Sequence, residues 1–335
     1  MRRKAVTIKD VADLVGVSKM SVSAALSGTN GSTKLSDSTR ERIKEAAETL
    51  GYTPNAIARS LRRQKTDVIG FYFGHGQFTA RLPFLAEIIG GIQEGCAQHK
   101  QDLLLHFIMG GRSLEDVYSS CMSGQIDGLI VLAPPGDPLI ALLQGGDLPV
   151  MAVVDAIQDI PSVVADDLLG AQLIAEYLHA KGHKKVIYRS LEKLHLVSAV
   201  RRRDAFLEAA TRLNMSVEEC ELPQVTLPGD SRITSWLCNE VEERPTAVIC
   251  WNDEAGYDLL HHCHRHKVKV PEDLAIIGFD GLSTPLESML VLTSVRAPWA
   301  EVARTAVELL CSRIAGKEVA KETVLPVQML IGTTG

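Results

Sequence analysis

No apolar stretch in this 335-residue sequence is long enough to cross a bilayer, so no membrane partner is expected. The opening MRRKAVTIKD carries no apolar core of a secretory signal. The seven cysteines, at 96, 121, 220, 238, 250, 263 and 311, are odd in number and scattered, with no C-x-x-C pair. That pattern argues against a disulfide framework and for reduced, buried thiols in a cytoplasmic protein. Gly70, Gly74 and Gly76 in GFYFGHG lack the spacing of a phosphate-cradling fingerprint. There is no G-x-S-x-G elbow and no zinc-protease spacing either. No enzyme reading has a constellation behind it, and no cofactor is implied.

Composition is otherwise ordinary for a globular chain, with 46% hydrophobic, 23% charged and 5% aromatic residues. The net charge of −6 conceals an asymmetry. Residues 1–65 hold 13 Lys and Arg against 6 Asp and Glu, a net of +7. The remainder carries 22 basic and 35 acidic residues, a net of −13. A basic head on an acidic body concentrates attraction for phosphate at one end.

The basic end holds the most informative stretch, TIKDVADLVGVSKMSVSAAL, from Thr7 to Leu26. Apolar residues recur at helical spacing in Ile8, Val11, Ala12 and Val15, and again in Val22, Ala25 and Leu26. Gly16 between the runs has the backbone freedom a sharp inter-helix turn needs. Ala12 is small where crossing helices approach, and Ser18 is placed to cap the second helix. Such a pair puts its second helix into the DNA major groove. After a loop, Ser36 or Asp37 can cap a third helix, DSTRERIKEAAETLG, which Gly51 ends. Pro54 then permits a short helix from Asn55 to Leu61, too short to stand alone in water. Basic Arg59, Arg62, Arg63 and Lys65 surround the apolar Leu61, an arrangement suited to a minor-groove wedge or, more plainly, to a solvated basic linker.

The motifs T-I-K-D-V-A, G-V-S-x-x-S-V-S, T-R-E-R-I, L-G-Y-T-P-N and A-R-S-L follow in order. Together they resemble the LacI/GalR family of bacterial transcription regulators. The resemblance implies a helix-turn-helix head, a hinge helix and a body like periplasmic sugar-binding proteins. It places Thr7, Ser18, Lys19, Met20, Ser21, Ser23, Ala24, Tyr52, Asn55, Ala58 and Leu61 at DNA. Among these, Lys19, Met20 and Ala24 match base-reading positions, Ser21 and Ser23 lie on the phosphate side, and Leu61 matches the intercalating hinge leucine. Ala24 stands where the family usually has Arg, which removes a guanine-directed bidentate contact. The loop from Thr29 to Lys34 looks about three residues longer than usual for the family, by the spacing of these motifs.

From Val68 onward apolar runs alternate with amphipathic stretches. The expected strands are VIGFYF, DLLLHFI, GLIVLA, VMAVV, KVIYR, AVICW and LAIIGFD. Helices are expected over Phe84–His99, Gly170–Lys181, Arg202–Leu213, Glu254–His266 and Glu301–Ile314. This alternation implies an α/β body of parallel sheets covered on both faces, binding ligand beyond the strands' carboxyl ends. The resemblance adds two doubly wound lobes with a cleft, and three crossings near Pro161–Asp166, Ser294–Pro298 and Leu325–Gln328. Asp155, Asn252, Asp253 and Asp280 end strands, and Arg202 is expected to begin a helix. By resemblance Asp155, Arg202, Asn252 and Asp280 match effector-contacting positions, with Trp251 beside them. Some of these are equally readable as helix caps, Asp253 most of all. Tyr72, Phe78 and Phe84 are further apolar candidates. Gly229-Asp230 is followed by Ser231, where some relatives place a stacking aromatic residue, and Ile331 stands where the family usually has Arg.

HHCHRH, from His261 to His266, has metal-ligand spacing on a helix, but a helix's last turn favours such groups anyway; no metal is expected. The domains read as a head over 1–51, a hinge and linker over 52–66, and a body over 67–335. Lobe 1 would take about 67–163 and 296–325, and lobe 2 about 164–295 and 326–335. The whole points to a cytoplasmic, homodimeric, ligand-responsive regulator, more readily a repressor, that binds a double-stranded DNA operator and a sugar-like effector. The rivals are a regulator of the same family governed by a partner protein, a sugar-binding transport protein, and an enzyme on the same body. No leucine-heptad tail follows Val327, so no tetramerising coiled coil is expected.

Overall fold

The computed structural model describes residues 6–27, 35–54, 60, 63–75, 82–107, 112–191, 196–222, 244–282 and 290–335. The chain divides into two compact units, Met1–Thr66 and Asp67–Gly335.

The first unit holds α1 (Ile8–Val15), α2 (Lys19–Ser27) and α3 (Asp37–Leu50). At the start of α1 the Asp10 carboxylate accepts from the Thr7 amide and hydroxyl, each at 2.7 Å. Gly16 ends the helix at φ 73°, and its amide donates to the Ala12 carbonyl. Two residues on, the Ser18 hydroxyl accepts the Ser21 amide at 3.1 Å and so caps α2. Of the two caps open for α3, Ser36 takes the role, accepting from the Thr39 amide. Val11, Ala12, Val15, Val22, Ala25, Ile43, Ala46 and Ala47 close the core between the three helices.

In the second unit the chain runs through β1 (Val68–Phe73), α4 (Pro83–Gln98), β2 (Asp102–His106), α5 (Leu114–Met122) and β3 (Gly128–Leu132). It continues with α6 (Pro138–Leu143), β4 (Val150–Val153), β5 (Ser162–Ala165), α7 (Asp167–Ala180) and β6 (Lys185–Leu191). Next come α8 (Val197–Arg212), β7 (Ser216–Leu222), β8 (Ala247–Cys250), α9 (Asp253–Arg265) and β9 (Ala275–Asp280). The end holds β10 (Thr293–Arg296), α10 (Trp299–Ile314), β11 (Glu322–Leu325) and β12 (Gln328–Leu330). Among the described residues these strands form two six-stranded sheets, in the orders β11-β5-β4-β3-β1-β2 and β12-β10-β9-β8-β6-β7. Every pairing among these described strands is parallel except β10 with β12.

Strand periodicity explains why both faces of each sheet are covered. Along β1, Ile69, Phe71 and Phe73 join the cluster under α4 and α10, while Tyr72 joins the one on the opposite face. In β9, Ala275, Ile277 and Phe279 likewise face one cluster and Ile276 the other. Helices α4 and α10 meet closely at Gly91, where a Cβ would lie 2.1 Å from the Ala300 carbonyl oxygen. The chain passes from one sheet to the other at 165–167, 296–299 and 325–328. Thr334 is buried and pins the tail, accepting from the Thr293 amide and donating to the Ile276 carbonyl.

Besides the short helices α5 and α6, which were not expected, three features depart from the sequence reading. Helix α8 starts at Val197, so Arg202 sits inside it rather than at its start. The reason lies in the Ser198 amide, which the Asp155 carboxylate accepts at 2.7 Å, holding an extra turn at the front. Strand β7, SVEECEL, was not expected: its exposed Glu218, Glu219 and Glu221 mark a sheet edge, paired among the described strands with β6 alone. Finally, Asn252 and not Asp253 caps α9, its side-chain oxygen accepting the Ala255 amide at 2.9 Å. Among the described residues no helix is long and apolar enough to cross a membrane.

Candidate functional site

Two surfaces carry the polar residues singled out from the sequence. On the head, burial of Val22 and Ala25 turns Lys19 and Met20 outward; Met20 is 71% exposed. A methionine that open on a helix cemented by its opposite face is available to a partner. Ser21, Ser23 and Ala24 are half-buried beside it, Thr7 is exposed, and Tyr52 packs partly against the head core. Asn55, Ala58 and Leu61 lie outside the described residues, as do Phe78, Ser231 and the Thr29–Lys34 loop.

The second surface is a cavity of about 440 Å³ within the two-lobed unit. It opens where the carboxyl ends of both sheets converge, as a doubly wound architecture places a ligand. Asp155, Arg202, Trp251, Asn252 and Asp280 all line it, brought together from β4, α8, β8 and β9. Tyr72 does not; it is 1% exposed in the core, with its hydroxyl donating to Asp137.

Arg202 is 5% exposed and held on three sides. Its Nε donates to Asp167 at 2.7 Å and its Nη1 to the Trp251 carbonyl at 3.0 Å, while the guanidinium lies 3.7 Å above the Phe279 ring. Burial alone would lower its pKa, but Asp167 and Asp280 outweigh that and keep it charged. Asp280 is the converse case. Burial pushes its carboxyl up to about 8 against the opposing pull of Arg202, and its Oδ1 accepts from Trp299 Nε1 at 3.2 Å. Asp253 accepts from the Ser294 hydroxyl and the Leu282 amide. Gly278 makes that room: a Cβ there would lie 2.2 Å from Asp253 Oδ1.

Backbone strain gathers here as well. Val154 has φ 71° and Asp280 φ 131°, conformations that a β-branched or ordinary side chain avoids. Both line the cavity, and strain of this kind collects where a ligand clamp over-determines the backbone. His75 and Trp251 each keep a buried ring nitrogen with no hydrogen-bond partner among the described residues. Burial lowers the His75 pKa, against Asp155 and Asp137, and so favours the neutral ring.

His75, Val154, Tyr257, Glu254 and Trp299 were not singled out from the sequence. Applying the strand-end rule to β1 would have found His75, since it follows that strand by two residues. Trp299 had no such signal, because it begins a helix after a crossing. Of the HHCHRH run, His261 lines the cavity and His262 is buried. Among the described residues no three His, Cys, Asp or Glu side chains are grouped to hold a metal ion.

A helix-turn-helix head joined to a two-lobed, cleft-bearing α/β body defines a ligand-responsive DNA-binding regulator. Residues 7–55 match the bacterial regulatory proteins of the lacI family, and residues 175–334 match the periplasmic binding protein-like domain. The chain is therefore similar to lacI-family regulators in its head and to periplasmic binding proteins in its body. It is 28% identical, over 95% of each chain, to the HTH-type transcriptional repressor PurR of Mannheimia succiniciproducens. Its fold is similar to that of the lac repressor dimer bound to operator and the anti-inducer ONPF, with TM-score 0.81, 22% identity and 99% of each chain covered. The transcriptional regulator CelR–cellobiose complex is similar too, with TM-score 0.68 and 23% identity over 98% of this chain and 100% of that one.

Proposed function

We propose that the chain is a homodimeric transcriptional repressor whose operator affinity is set by a small molecule bound in the cleft. The observation that carries the reading is the convergence of Asp155, Arg202, Trp251, Asn252 and Asp280 on one cavity whose backbone is strained at Val154 and Asp280. A basic, three-helix head with Lys19 and Met20 turned outward supports the DNA-reading half. Relatives described as repressors, a lac repressor dimer on operator and a regulator complexed with cellobiose support the rest. The protein acts in the cytoplasm, where its operator is, and the paired heads read the half-sites of a roughly palindromic site.

In this reading Lys19, Met20 and Ala24 face base edges, Thr7, Ser18, Ser21 and Ser23 the backbone, and Tyr52, Asn55, Ala58 and Leu61 the centre of the operator. The effector closes the cleft, and its influence on DNA equals its differential affinity for the two lobe arrangements. Selection of operators from a random duplex library tests the head. Lys19→Ala and Met20→Ala should each change the selected consensus, and an unchanged consensus would remove α2 from the base-reading role. The cleft is tested by Asn252→Ala combined with a sugar screen: operator binding should persist while the response to effector is lost.

A further inference from the structure

We infer that the cleft takes an uncharged ligand with two unlike faces, a flat apolar ring against the first lobe and a hydroxyl- or carbonyl-bearing edge against the second. The inference rests on the cleft reading above and names the chemistry of its effector. The two walls of the cavity differ in kind. From the first lobe come Phe73, Leu82, Phe84, Leu132, Val154 and Trp299, with His75 and Asp155 as polar members among the described residues. Phe84 and Trp299 meet edge to face at 5.2 Å and 88°, which fixes both rings. The second lobe gives mainly polar groups, Arg202, Asn252, Asp253, Glu254, Asp258 and Asp280, with Leu196, Trp251, Tyr257 and Leu282 as its apolar members. A polyol with hydroxyls on both faces would leave its groups unpaired against the first wall, at the cost of burying them unmade.

The polar wall also selects. Arg202 is the one Lys or Arg among the described lining residues, and Asp167 already neutralises it at 2.7 Å. Glu254 and Asp258, a like-charged pair one turn apart on α9, form no ion pair among the described residues, and Asp155 and Asp253 add carboxylates. A phosphate or carboxylate entering this wall would meet like charge with no unpaired Lys or Arg among the described lining residues. What the wall does offer are donors. Trp251 Nε1 is buried and unpartnered among the described residues, and Arg202 spends only Nε and Nη1 on protein acceptors. Donors at this edge call for hydroxyl or carbonyl oxygens on the ligand. A cavity of about 440 Å³ has room for a ring and such an edge together.

The test uses the full chain and matched trios across the common hexoses: the free sugar, its 6-phosphate and its phenyl β-glycoside. Binding is read by thermal shift and by quenching of tryptophan fluorescence, since Trp251 and Trp299 both line the cavity. At least one phenyl glycoside should bind about tenfold or more tightly than its parent sugar, the ring's apolar area leaving water. No 6-phosphate should bind better than its parent. Phe84→Leu, which keeps an apolar side chain, should lower the ratio of phenyl-glycoside to parent-sugar affinity by most of that gain. A 6-phosphate as the tightest ligand, equal affinity for phenyl glycoside and parent, or no phenyl glycoside binding would each overturn the inference. Operator affinity measured in the same samples separates the two readings. A free sugar or phosphate that shifts it at lower concentration than any phenyl glycoside leaves the cleft reading standing and sinks this one. A phenyl glycoside that binds without shifting it does the reverse.

Discussion

Asp280 combines a backbone at φ 131° with a carboxyl held up to about 8, and both follow from its place at the buried end of β9. The strain and the proton have one consequence each. The first fixes the direction of the carboxyl toward Trp299 Nε1 and past Arg202. The second makes stability depend on pH with a sign opposite to that of an ion-paired aspartate. Its ordinary pKa is 3.8, so the unfolded chain gives up this proton near pH 4 while the native state keeps it to about 8. Between those limits the native state binds more protons, and stability contributed by the group falls as pH rises, then levels off. Asp280→Asn keeps an oxygen for Trp299 and cannot ionise. The variant should therefore match the parent near pH 4 and become progressively more stable than it up to pH 8–9, read as the difference in urea midpoints. A difference that is flat with pH would show that Asp280 is ionised throughout.

At the scale of elements, α4 and α10 are held together through one small residue. Gly91 faces the Ala300 carbonyl at a distance that admits no Cβ, whereas neighbouring Gly90 has nothing within 4 Å of its own. Gly91→Ala should thus cost about 2 kcal/mol or more through overpacking. Gly90→Ala should stabilise by about 1 kcal/mol, because alanine loses less backbone freedom in a helix. Equal effects, measured by denaturant unfolding, would show that the helices part to accept a methyl. The same contrast explains what was legible beforehand. VIGFYF, GLIVLA and LAIIGFD were readable as strands because buried parallel strands are continuously apolar, and the head was readable because three caps and two αL glycines punctuate it. SVEECEL was not, since an edge strand shows solvent its glutamates and loses the apolar signature. The six-residue helix Pro138–Leu143 spans too few turns to display a period. In the cleft, polar strand-end residues stood out and Trp299 did not, because its approach depends on a crossing between lobes that no local pattern encodes. Asp253 and Asn252 exchanged roles for a like reason: which of two adjacent polar residues caps a helix is settled by where the other is drawn, here to Ser294 and Leu282.

For the whole molecule, the split between a head of net +7 and a remainder of net −13 separates two kinds of DNA affinity. Attraction of the head's 13 Lys and Arg for phosphate is independent of base sequence and falls steeply with salt. Recognition of an operator requires in addition that base-reading groups of both heads meet their half-sites together. An uncharged effector in the cleft leaves the first term untouched and acts on the second, so its effect belongs to operator and not to random DNA. Linkage fixes the reciprocal effect. Whatever factor the effector changes operator affinity by, saturating operator must change effector affinity by the same factor and in the same sense. Titrating effector with and without operator duplex, at one salt concentration, measures that factor from one side, and titrating operator with and without effector measures it from the other. The two should agree, typically at about 5- to 150-fold, while affinity for a random duplex moves by no more than about twofold, within the scatter expected of an electrostatic term the ligand does not alter. An equal loss on random DNA would mean that the ligand acts on the charge of the head rather than on how the two heads are presented.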